Sequence, residues 1–317
     1  SLIASTLGID EDLVDGINFT TIDADADSAI TNLGYITAKA GGAVILVAPT
    51  VENGGTIDAT QGKIFLLGGT RAVVENGDVK TIITDERDIG GKVVKPTVYN
   101  MREGEWVGKL YADEGLVRMI GRTVNQDGVI RSVSSVENQG KIQLVGTDKV
   151  RIGAESEIVV NPEPYDSDKN FSDFQAGEVD IRSRYQTDPG NTSEDPTSDN
   201  YKNDLDHEIG ITTSDDAENQ LDGSIEIAGR VAAESGVIKA KAGKDVTVKG
   251  GSELDVSAAD YAAAGNVELV SKQGSVGAES GSSINISGRD LSDGYDYFDA
   301  AKLGVEERES FIENYAD

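Results

Sequence analysis

The chain repeats itself at a spacing far too short for a domain. The pattern Asn-x-Gly-x-Ile-x-Ala occupies residues 32–38 and returns 21 residues later at 53–59, and an apolar run follows each copy, at 44–47 and at 64–67. Repeats of this length cannot each enclose a core, so they bury their apolar faces by stacking on one another. The repeat therefore predicts a fold that is built by stacking.

Apolar and polar residues alternate within each copy. Ile36 and Ala38 form one apolar pair, and Ile57 and Ala59 form the next. A period of two puts both members of a pair on the same face of a β-strand, and Gly-rich turns such as 53–55 separate the short strands. The pattern favours an all-β fold, a parallel β-helix or solenoid. A β-sandwich of hairpins is the alternative.

Related patterns return further along the chain. Residues 136–140 restate the Val-Glu-Asn-x-Gly of residues 51–55. A glycine followed by an alternating apolar pair begins at Gly223, Gly243, Gly251, Gly265 and Gly281. Hairpins of a sandwich would not require such close restatements, so these observations favour the solenoid.

The repeats resemble a known family. The segments Leu-Ile-Ala-Ser-Thr-Leu-Gly-Ile at 2–9, Gly-Gly-Ala-Val-Ile-Leu-Val-Ala-Pro at 41–49, and the two repeat copies are similar to filamentous-haemagglutinin-type exoproteins of the two-partner secretion pathway, in the fibre just after the secretion domain. The resemblance is specific over 1–75, recurs at 123–160, and is a generic Gly-rich pattern at 221–288. It implies a right-handed parallel β-helix, export through an outer-membrane pore, and a role as adhesin, haemagglutinin or toxin-delivery stalk. The family's earlier secretion motifs are not in this sequence.

Charge and composition exclude several classes of function. The chain has 57 acidic and 28 basic residues, a formal net charge of -29, which argues against binding to nucleic acid or to an anionic lipid surface. It has no cysteine, so it has neither disulfides nor thiolate metal sites. No apolar run is long enough to span a bilayer. The chain begins with Ser1 and shows no basic leader, so we interpret it as a piece of a longer mature protein.

These patterns predict six segments. β-Helix coils are expected at 1–75, 123–160 and 221–288, an extra-helical hairpin or excursion at 76–122, an acidic loop insertion at 161–220, and a short helical cap or linker at 289–317. The insertion contains four of the six prolines and few aliphatic residues, which disfavours an independent core. Its apolar residues are expected to lie against the solenoid wall, at Phe171, Phe174, Ile181 and Tyr185.

Asp23, Asp25 and Asp27 form the sharpest carboxylate cluster of the sequence. At strand spacing the three side chains would share one face and could bind calcium through their oxygens. The following residues depart from the EF-hand loop, because Ser28 and Gly34 stand where Gly and Glu are expected. A solvated acidic turn is the alternative, and no cofactor is required. The insertion offers further oxygens without a distinctive spacing, at Asp195, Asp199, Asp204, Asp206, Asp215 and Asp216.

Aromatic residues and the single histidine are the remaining candidates. Trp106 with Tyr99 and Tyr111 could form a platform for a carbohydrate, or could anchor a loop against the body of the fold. His207 lies between Asp206 and Glu208, but no nucleophile motif accompanies it, so we do not predict catalysis.

The sequence thus predicts a non-enzymatic structural adhesin at the bacterial surface or outside the cell. A stiff stack of coils would present loops to a host or bacterial glycan, to a surface protein, or to other copies of the same chain, with an outer-membrane pore as partner during export. Two alternatives remain open. One is a subunit of an extracellular filament or matrix, and the other is a polysaccharide lyase or hydrolase on a β-helix, which would need paired carboxylates.

Overall fold

The chain is almost entirely β in a computed structural model that describes residues 1–10, 16–20, 27–84, 86–89, 91–183, 211–212, 223–259 and 262–288. Within these ranges the one helical element is a 3-10 turn at Phe171–Asp173. The prediction of an all-β fold is therefore confirmed. Nowhere in the described part is there a helix with the length and hydropathy to cross a membrane.

The strands are short, and most have between three and six residues. The first third of the chain contributes β1 (Leu2–Ser5), β2 (Gly8–Asp10), β3 (Ile17–Thr20), β4 (Ala29–Asn32), β5 (Tyr35–Thr37), β6 (Ala43–Ala48), β7 (Thr50–Asn53), β8 (Thr56–Asp58), β9 (Lys63–Gly68), β10 (Arg71–Glu75), β11 (Asp78–Ile83), β12 (Arg87–Ile89), β13 (Lys92–Val94) and β14 (Thr97–Asn100). The middle contributes β15 (Arg102–Glu103), β16 (Trp106–Val107), β17 (Lys109–Tyr111), β18 (Leu116–Gln126), β19 (Val129–Ser134), β20 (Lys141–Ile152), β21 (Glu157–Pro162) and β22 (Glu178–Ser183). The remainder contributes β23 (Ile211–Thr212), β24 (Ser224–Ile227), β25 (Arg230–Ala233), β26 (Val237–Ala242), β27 (Val246–Val248), β28 (Glu253–Asp255), β29 (Asn266–Ser271), β30 (Val276–Ala278) and β31 (Ser283–Asn285).

Most of these strands belong to three parallel ladders. Ladder I is β1-β6-β9-β18-β20-β22-β26-β29, and ladder II is β4-β7-β14, the second halves of β18 and β20, then β24-β27-β30. Ladder III is a sheet of eight strands in the order β5-β8-β17-β19-β21-β25-β28-β31. The chain contributes to the ladders in the order I, II, III and then begins again with ladder I. We call one complete round through the three ladders a passage, and the eight passages are numbered in chain order.

Residues at equivalent positions of successive passages pair in register. In ladder III, Ile57 pairs with Ile36 on one side and with Leu110 on the other, in parallel both times. In ladder I, Ile142 pairs in parallel with Val117. Because the strands pair in register, side chains at equivalent positions form rows that run from passage to passage, and all members of a row face the same side of the sheet.

One hydrophobic cluster collects the inward-facing rows of all three ladders. Val44 and Leu46 of ladder I, Val98 of ladder II, and Ile57 and Leu110 of ladder III are members of this cluster, and none is more than 2% exposed. A single passage contributes only a few of these residues. The burial of each passage therefore depends on the passages beside it.

Burial falls away at the last passage. Val276 and Ile284 continue the inward rows of Val246 and Leu254, which are fully buried. Val276 is 47% exposed and Ile284 is 43% exposed. This contrast shows that the inward side chains of a passage are buried largely by the passages on either side of it.

A smaller sheet covers the outer face of ladder I. Strands β2, β3, β10 and β11 pair antiparallel, and β23 pairs with β11 in parallel. Phe19, Ala72 and Ile82 of this sheet pack with the outward side chains Ile45 and Phe65. Because β6 and β9 are covered on both faces, their sequences are continuous apolar runs and do not alternate.

The strands of this side sheet come from three separate excursions of the chain. The excursions follow β1, β9 and β22, so each of them leaves ladder I and returns to ladder II. All three therefore open from the same corner of the stack.

Glycine is required at the corners because successive passages approach closely there. A Cβ atom at Gly62 would lie 2.1 Å from the carbonyl oxygen of Gly42, and one at Gly128 would lie 2.2 Å from that of Gly108. Contacts this short with backbone atoms would force neighbouring passages apart. The Gly-rich turns of the sequence are thus explained by passage-to-passage distance as well as by turn conformation.

Two predicted segments contain more ladder strands than the sequence indicated. The range 76–122, predicted as an excursion, includes β14, β17 and part of β18, so that only 69–96 and a small hairpin at 101–108 leave the ladders. The range 161–220, predicted as an insertion, includes β22, whose Val179 and Ile181 are fully buried in the core. The charged outward residues of β22 dominate its composition and conceal its inward alternating pair.

The repeat at 136–140 is not structurally equivalent to that at 51–55. Asn53 ends a strand of ladder II, and Ile57 lies in ladder III. Residues 136–140 instead precede β20, so that Ile142 lies in ladder I. The two segments share turn-forming residues but occupy different corners of the stack.

Several predicted features lie outside the described residues. These are the helix predicted at 289–317, Tyr185, His207, and the acidic residues of the insertion from Asp195 to Asp216.

Candidate binding surface

The predicted calcium cluster can be located only in part. Asp23 and Asp25 lie outside the described residues, and Asp27 is exposed and forms an ion pair with Lys92 of β13. Among the described residues, no group of three or more His, Asp or Glu side chains is arranged to hold a metal ion. The ion pair uses one of the oxygens that a cation at this position would need.

Trp106 lies on a small hairpin that projects between ladders II and III. Strands β15 and β16 pair antiparallel, with Glu103 directly opposite Trp106. The turn between them needs a positive φ at its first central residue, and Gly104 supplies it with a φ of 58°. The hairpin base is closed by the backbone N–H of Gly108, which donates to the carbonyl of Met101 at 2.8 Å.

Arg102 fastens this hairpin to the next two passages. Its Nε donates to the carbonyl oxygen of Asp127 at 3.0 Å, and its Nη2 donates to that of Glu155 at 2.7 Å. A guanidinium that binds two backbone carbonyls holds a loop in one orientation. The hairpin is therefore presented from a fixed base.

Three side chains converge on Gly54 beside the hairpin. A Cβ atom at Gly54 would lie 3.0 Å from Leu33 Cδ2, 3.0 Å from Met101 Cε and 3.4 Å from Trp106 Cβ. Leu33 is 44% exposed and Trp106 is 47% exposed. The exposure of Trp106 argues against its interpretation as a loop anchor. We call Leu33, Met101, Glu103, Glu105 and Trp106 the Trp106 patch.

The predicted three-residue aromatic platform is distributed over two ladders. Tyr99 lies in ladder II, in register with Glu52, and is 36% exposed. Tyr111 lies in ladder III, in register with Asp58. The side chains that approach Gly54 together with Trp106 are instead the aliphatic Leu33 and the thioether of Met101, which sequence spacing did not suggest.

A buried row of amide side chains was not anticipated by the sequence analysis. Asn32 Nδ2 donates to Asn53 Oδ1 at 2.8 Å, Asn53 Nδ2 donates to Asn100 Oδ1 at 2.9 Å, and Asn100 Nδ2 donates to Gln126 Oε1 at 2.9 Å. The row faces inward from ladder II and ends where Ile152 takes the same position. The recurring Asn of the Asn-x-Gly pattern was the signal that could have revealed it.

A group of carboxylates lies where ladder III turns into ladder I. The pKa of Asp113 is raised from its ordinary value by partial burial and then by the negative charges of Asp58 and Glu114. Gln61 donates to Glu114 Oε2 at 3.0 Å, and Asn138 donates to the same oxygen at 3.2 Å. Burial, followed by the repulsion of the neighbouring carboxylates, is sufficient to explain the raised pKa of Asp113.

A charged triplet joins three passages on the outer face of ladder I. Glu178 accepts hydrogen bonds from Lys239 at 3.2 Å and lies 3.4 Å from Lys141. Burial acts to raise the pKa of Glu178, but the two lysine charges and their hydrogen bonds outweigh burial and lower it. This triplet therefore stabilises the pairing of β20, β22 and β26 when Glu178 is ionised.

Comparisons with known proteins found no matching family model, no similar curated protein and no similar solved structure. The site must therefore be interpreted from its own chemistry.

Proposed function

We propose that the chain is a right-handed parallel β-helix that forms a rigid segment of a secreted, surface-exposed adhesin of the filamentous-haemagglutinin type. The observation that carries this proposal is the repeated order of the ladders, I then II then III, through eight passages in parallel register. Right-handed connections between parallel strands of one sheet are strongly preferred for chains of L-residues, which supports the handedness.

The proposed mechanism is presentation. Parallel strands stack at about 4.8 Å, so eight passages give a rod of roughly 40 Å. Excursions and hairpins leave the rod at its corners, and the hairpin of Trp106 is fixed at its base by Arg102. A stiff body with exposed loops suits attachment to a cell, to a glycan or to another exoprotein. It needs no cofactor and no catalytic centre, and the net charge of -29 favours solubility.

The proposal can be tested in two steps. The shape is tested by electron cryo-microscopy or X-ray scattering of the purified chain, which should show an elongated stack with a repeat of about 4.8 Å. The activity is tested with beads that carry the chain, which should attach to animal or bacterial cells, whereas beads carrying an unrelated protein of equal charge should not. The adhesin proposal would be refuted if the beads that carry the chain attach to cells no better than the control beads.

A filament subunit is the second candidate, and it is favoured by the two ends of the stack. Five of the six end strands, β1, β4, β5, β30 and β31, contain no charged residue and no proline, which are the usual protection of an exposed edge, and β29 contains one charged residue, Glu268. Apolar inward rows also reach the surface there, as at Ile284. Growth of particle mass with concentration in sedimentation experiments would support head-to-tail assembly, and a constant monomer mass would exclude it.

A further inference from the structure

The Trp106 patch combines an exposed aromatic ring with uncompensated negative charge. Glu103 and Glu105 flank Trp106 on the hairpin, and all three are exposed. Within the described ranges neither carboxylate forms an ion pair. The two carboxylates therefore place unpaired negative charge beside an exposed ring, whereas Glu178 on the outer face of ladder I is matched by two lysines.

In the described part of the chain, the basic residues that are nearest to the patch in sequence form no ion pair with Glu103 or Glu105. Arg102 directs its guanidinium to the carbonyls of Asp127 and Glu155 at the base of the hairpin. Lys109 lies beyond Gly108, where β17 has already joined ladder III. The charge of the patch is therefore negative, in a chain whose formal net charge is -29.

The apolar part of the patch has a defined shape. Leu33 comes from passage 1, Gly54 from passage 2, and Met101 and Trp106 from passage 3, so three passages build it together. Gly54 is buried beneath the side chains that converge on it. Because Trp106 is 47% exposed, its ring can receive a group from solvent.

We propose that the Trp106 patch binds a basic peptide segment, with a Lys or Arg side chain placed over the indole ring and its charge held by Glu103 and Glu105. Indole is the best aromatic partner for a cation, and carboxylates form the strongest hydrogen bonds with guanidinium groups. The aliphatic stem of the bound side chain would pack on Leu33 and Met101. This inference rests on the proposed adhesin function and names the chemistry of its partner.

Charge complementarity selects this occupant over a glycan. A neutral sugar could stack on the indole ring and donate hydroxyl hydrogen bonds to the two carboxylates, but it would leave their negative charge without a counter-charge, and an acidic sugar would be repelled by them. A basic segment satisfies both parts of the patch. The long-range field of the acidic chain would also accelerate its approach.

The sequence supplies its own reporter, because Trp106 is the only tryptophan. The full chain should be titrated with a short Arg- and Lys-containing peptide while tryptophan emission is recorded, and with a charge-reversed Glu peptide and neutral hexaoses as comparison probes. We expect a saturable change in emission with the basic peptide alone, weakened by added salt. Saturation with a hexaose in place of the peptide, or no saturation with any probe, would overturn the proposal.

Variants separate specific binding from general attraction of a basic peptide to an acidic protein. With a fluorescent peptide and anisotropy as readout, Trp106→Ala should weaken binding about tenfold, and the double variant Glu103→Gln/Glu105→Gln should weaken it by a similar factor. The matched control is Glu137→Gln/Glu234→Gln, which removes two charges elsewhere and should change affinity less than about twofold. Equal losses in the patch variants and the control would show that binding is non-specific and would refute the site.

Gly54→Ala provides a test that changes no charge. The added methyl group would meet Leu33, Met101 and Trp106 at 3.0 to 3.4 Å, so the three side chains must move apart. Weaker peptide binding is expected with an unchanged β-sheet circular dichroism spectrum. The rod shape and the attachment of beads are measured separately, so a failure of peptide binding leaves the adhesin proposal to its own tests.

Discussion

Asn53 donates a hydrogen bond to the side-chain oxygen of Asn100 at 2.9 Å, although 47 residues separate the two positions. The bond joins passages 2 and 3 inside the core, where neither side chain is exposed to solvent. A buried amide that lost its partner would cost more than the bond itself contributes. The amide row therefore fixes the register between passages, since a shift of one passage by one residue would leave the members of the row unpaired.

Asn53→Ala should destabilise the chain by about 2–4 kcal/mol, because it leaves groups of both Asn32 and Asn100 without partners. Asn32→Ala should cost less, about 1–2 kcal/mol, because Asn32 stands at the end of the row and has one amide neighbour. Urea unfolding measured by circular dichroism compares the two variants. Equal losses would contradict the row as a cooperative unit.

Gly62→Ala should be destabilising by about 1–3 kcal/mol, because its new methyl group would overlap the carbonyl oxygen of Gly42. Gly277→Ala is the matched control, since no atom lies within 4 Å of a Cβ placed there, and its effect should stay within about 0.5 kcal/mol. Thermal unfolding midpoints of the two variants provide the comparison. If Gly62→Ala does not destabilise the chain, the passages are less closely spaced than they are in this structure.

Ile57→Ala should cost about 2–5 kcal/mol, because Ile57 is fully buried in the central core. Ile284→Ala, in the same inward row, should cost under about 1 kcal/mol because 43% of that residue is exposed. The same chemical change at two positions of one row thus isolates the contribution of a covering passage. Similar losses at both positions would indicate that another part of the chain covers Ile284.

The Glu178 triplet should make stability depend on pH in the acidic range. The pKa of Glu178 is lowered in the folded chain from an ordinary value of 4.5, so its contribution is complete above that value and is lost as pH falls through the lowered pKa. Glu178→Gln should therefore lower unfolding free energy by about 1–2 kcal/mol at neutral pH, and the difference from the parent chain should shrink below about pH 4.

Glu268→Gln is the control for this pH dependence. Glu268 forms one ion pair with Lys241 at 2.9 Å, and its side chain is 45% exposed. An exposed pair contributes little, so this variant should differ from the parent chain by less than about 0.5 kcal/mol at any pH. Denaturant titrations between pH 3 and pH 8 measure both variants. A pH-independent effect of Glu178→Gln would show that its charge is not what stabilises the ladder.

The sequence was informative wherever the pattern was local. Ile36 and Ile57 could be placed on one face from their alternation and on neighbouring strands from the repeat, and the structure pairs them in parallel. Strand β22 was missed because its inward pair, Val179 and Ile181, stands among charged outward residues. Membership of a ladder is decided by partners far away in the chain, which composition does not reveal.

In the candidate site, too, local features could be predicted from the sequence and long-range contacts could not. The importance of Trp106 could be suspected from its rarity, but Leu33, which approaches the same Gly54, lies two passages earlier in the chain. The amide row was present in the sequence as a recurring Asn, yet its members at Asn100 and Gln126 are out of step with the 21-residue spacing because excursions intervene. The repeat spacing no longer predicts which residues are structurally equivalent when an excursion lies between two passages.

The shared corner from which all three excursions open has a consequence for how such a chain can change. The parts of these excursions that lie outside the side sheet, such as the hairpin of β12 and β13, can lengthen or shorten without disturbing the pairing of the ladders. At Gly62 and Gly128, in the other two corners, the backbones of neighbouring passages are in contact, so the chain has no such freedom at these two positions. The corner between ladders I and II is thus a place where the chain can accept new segments, whereas the glycine contacts at 62 and 128 keep the distance between passages constant.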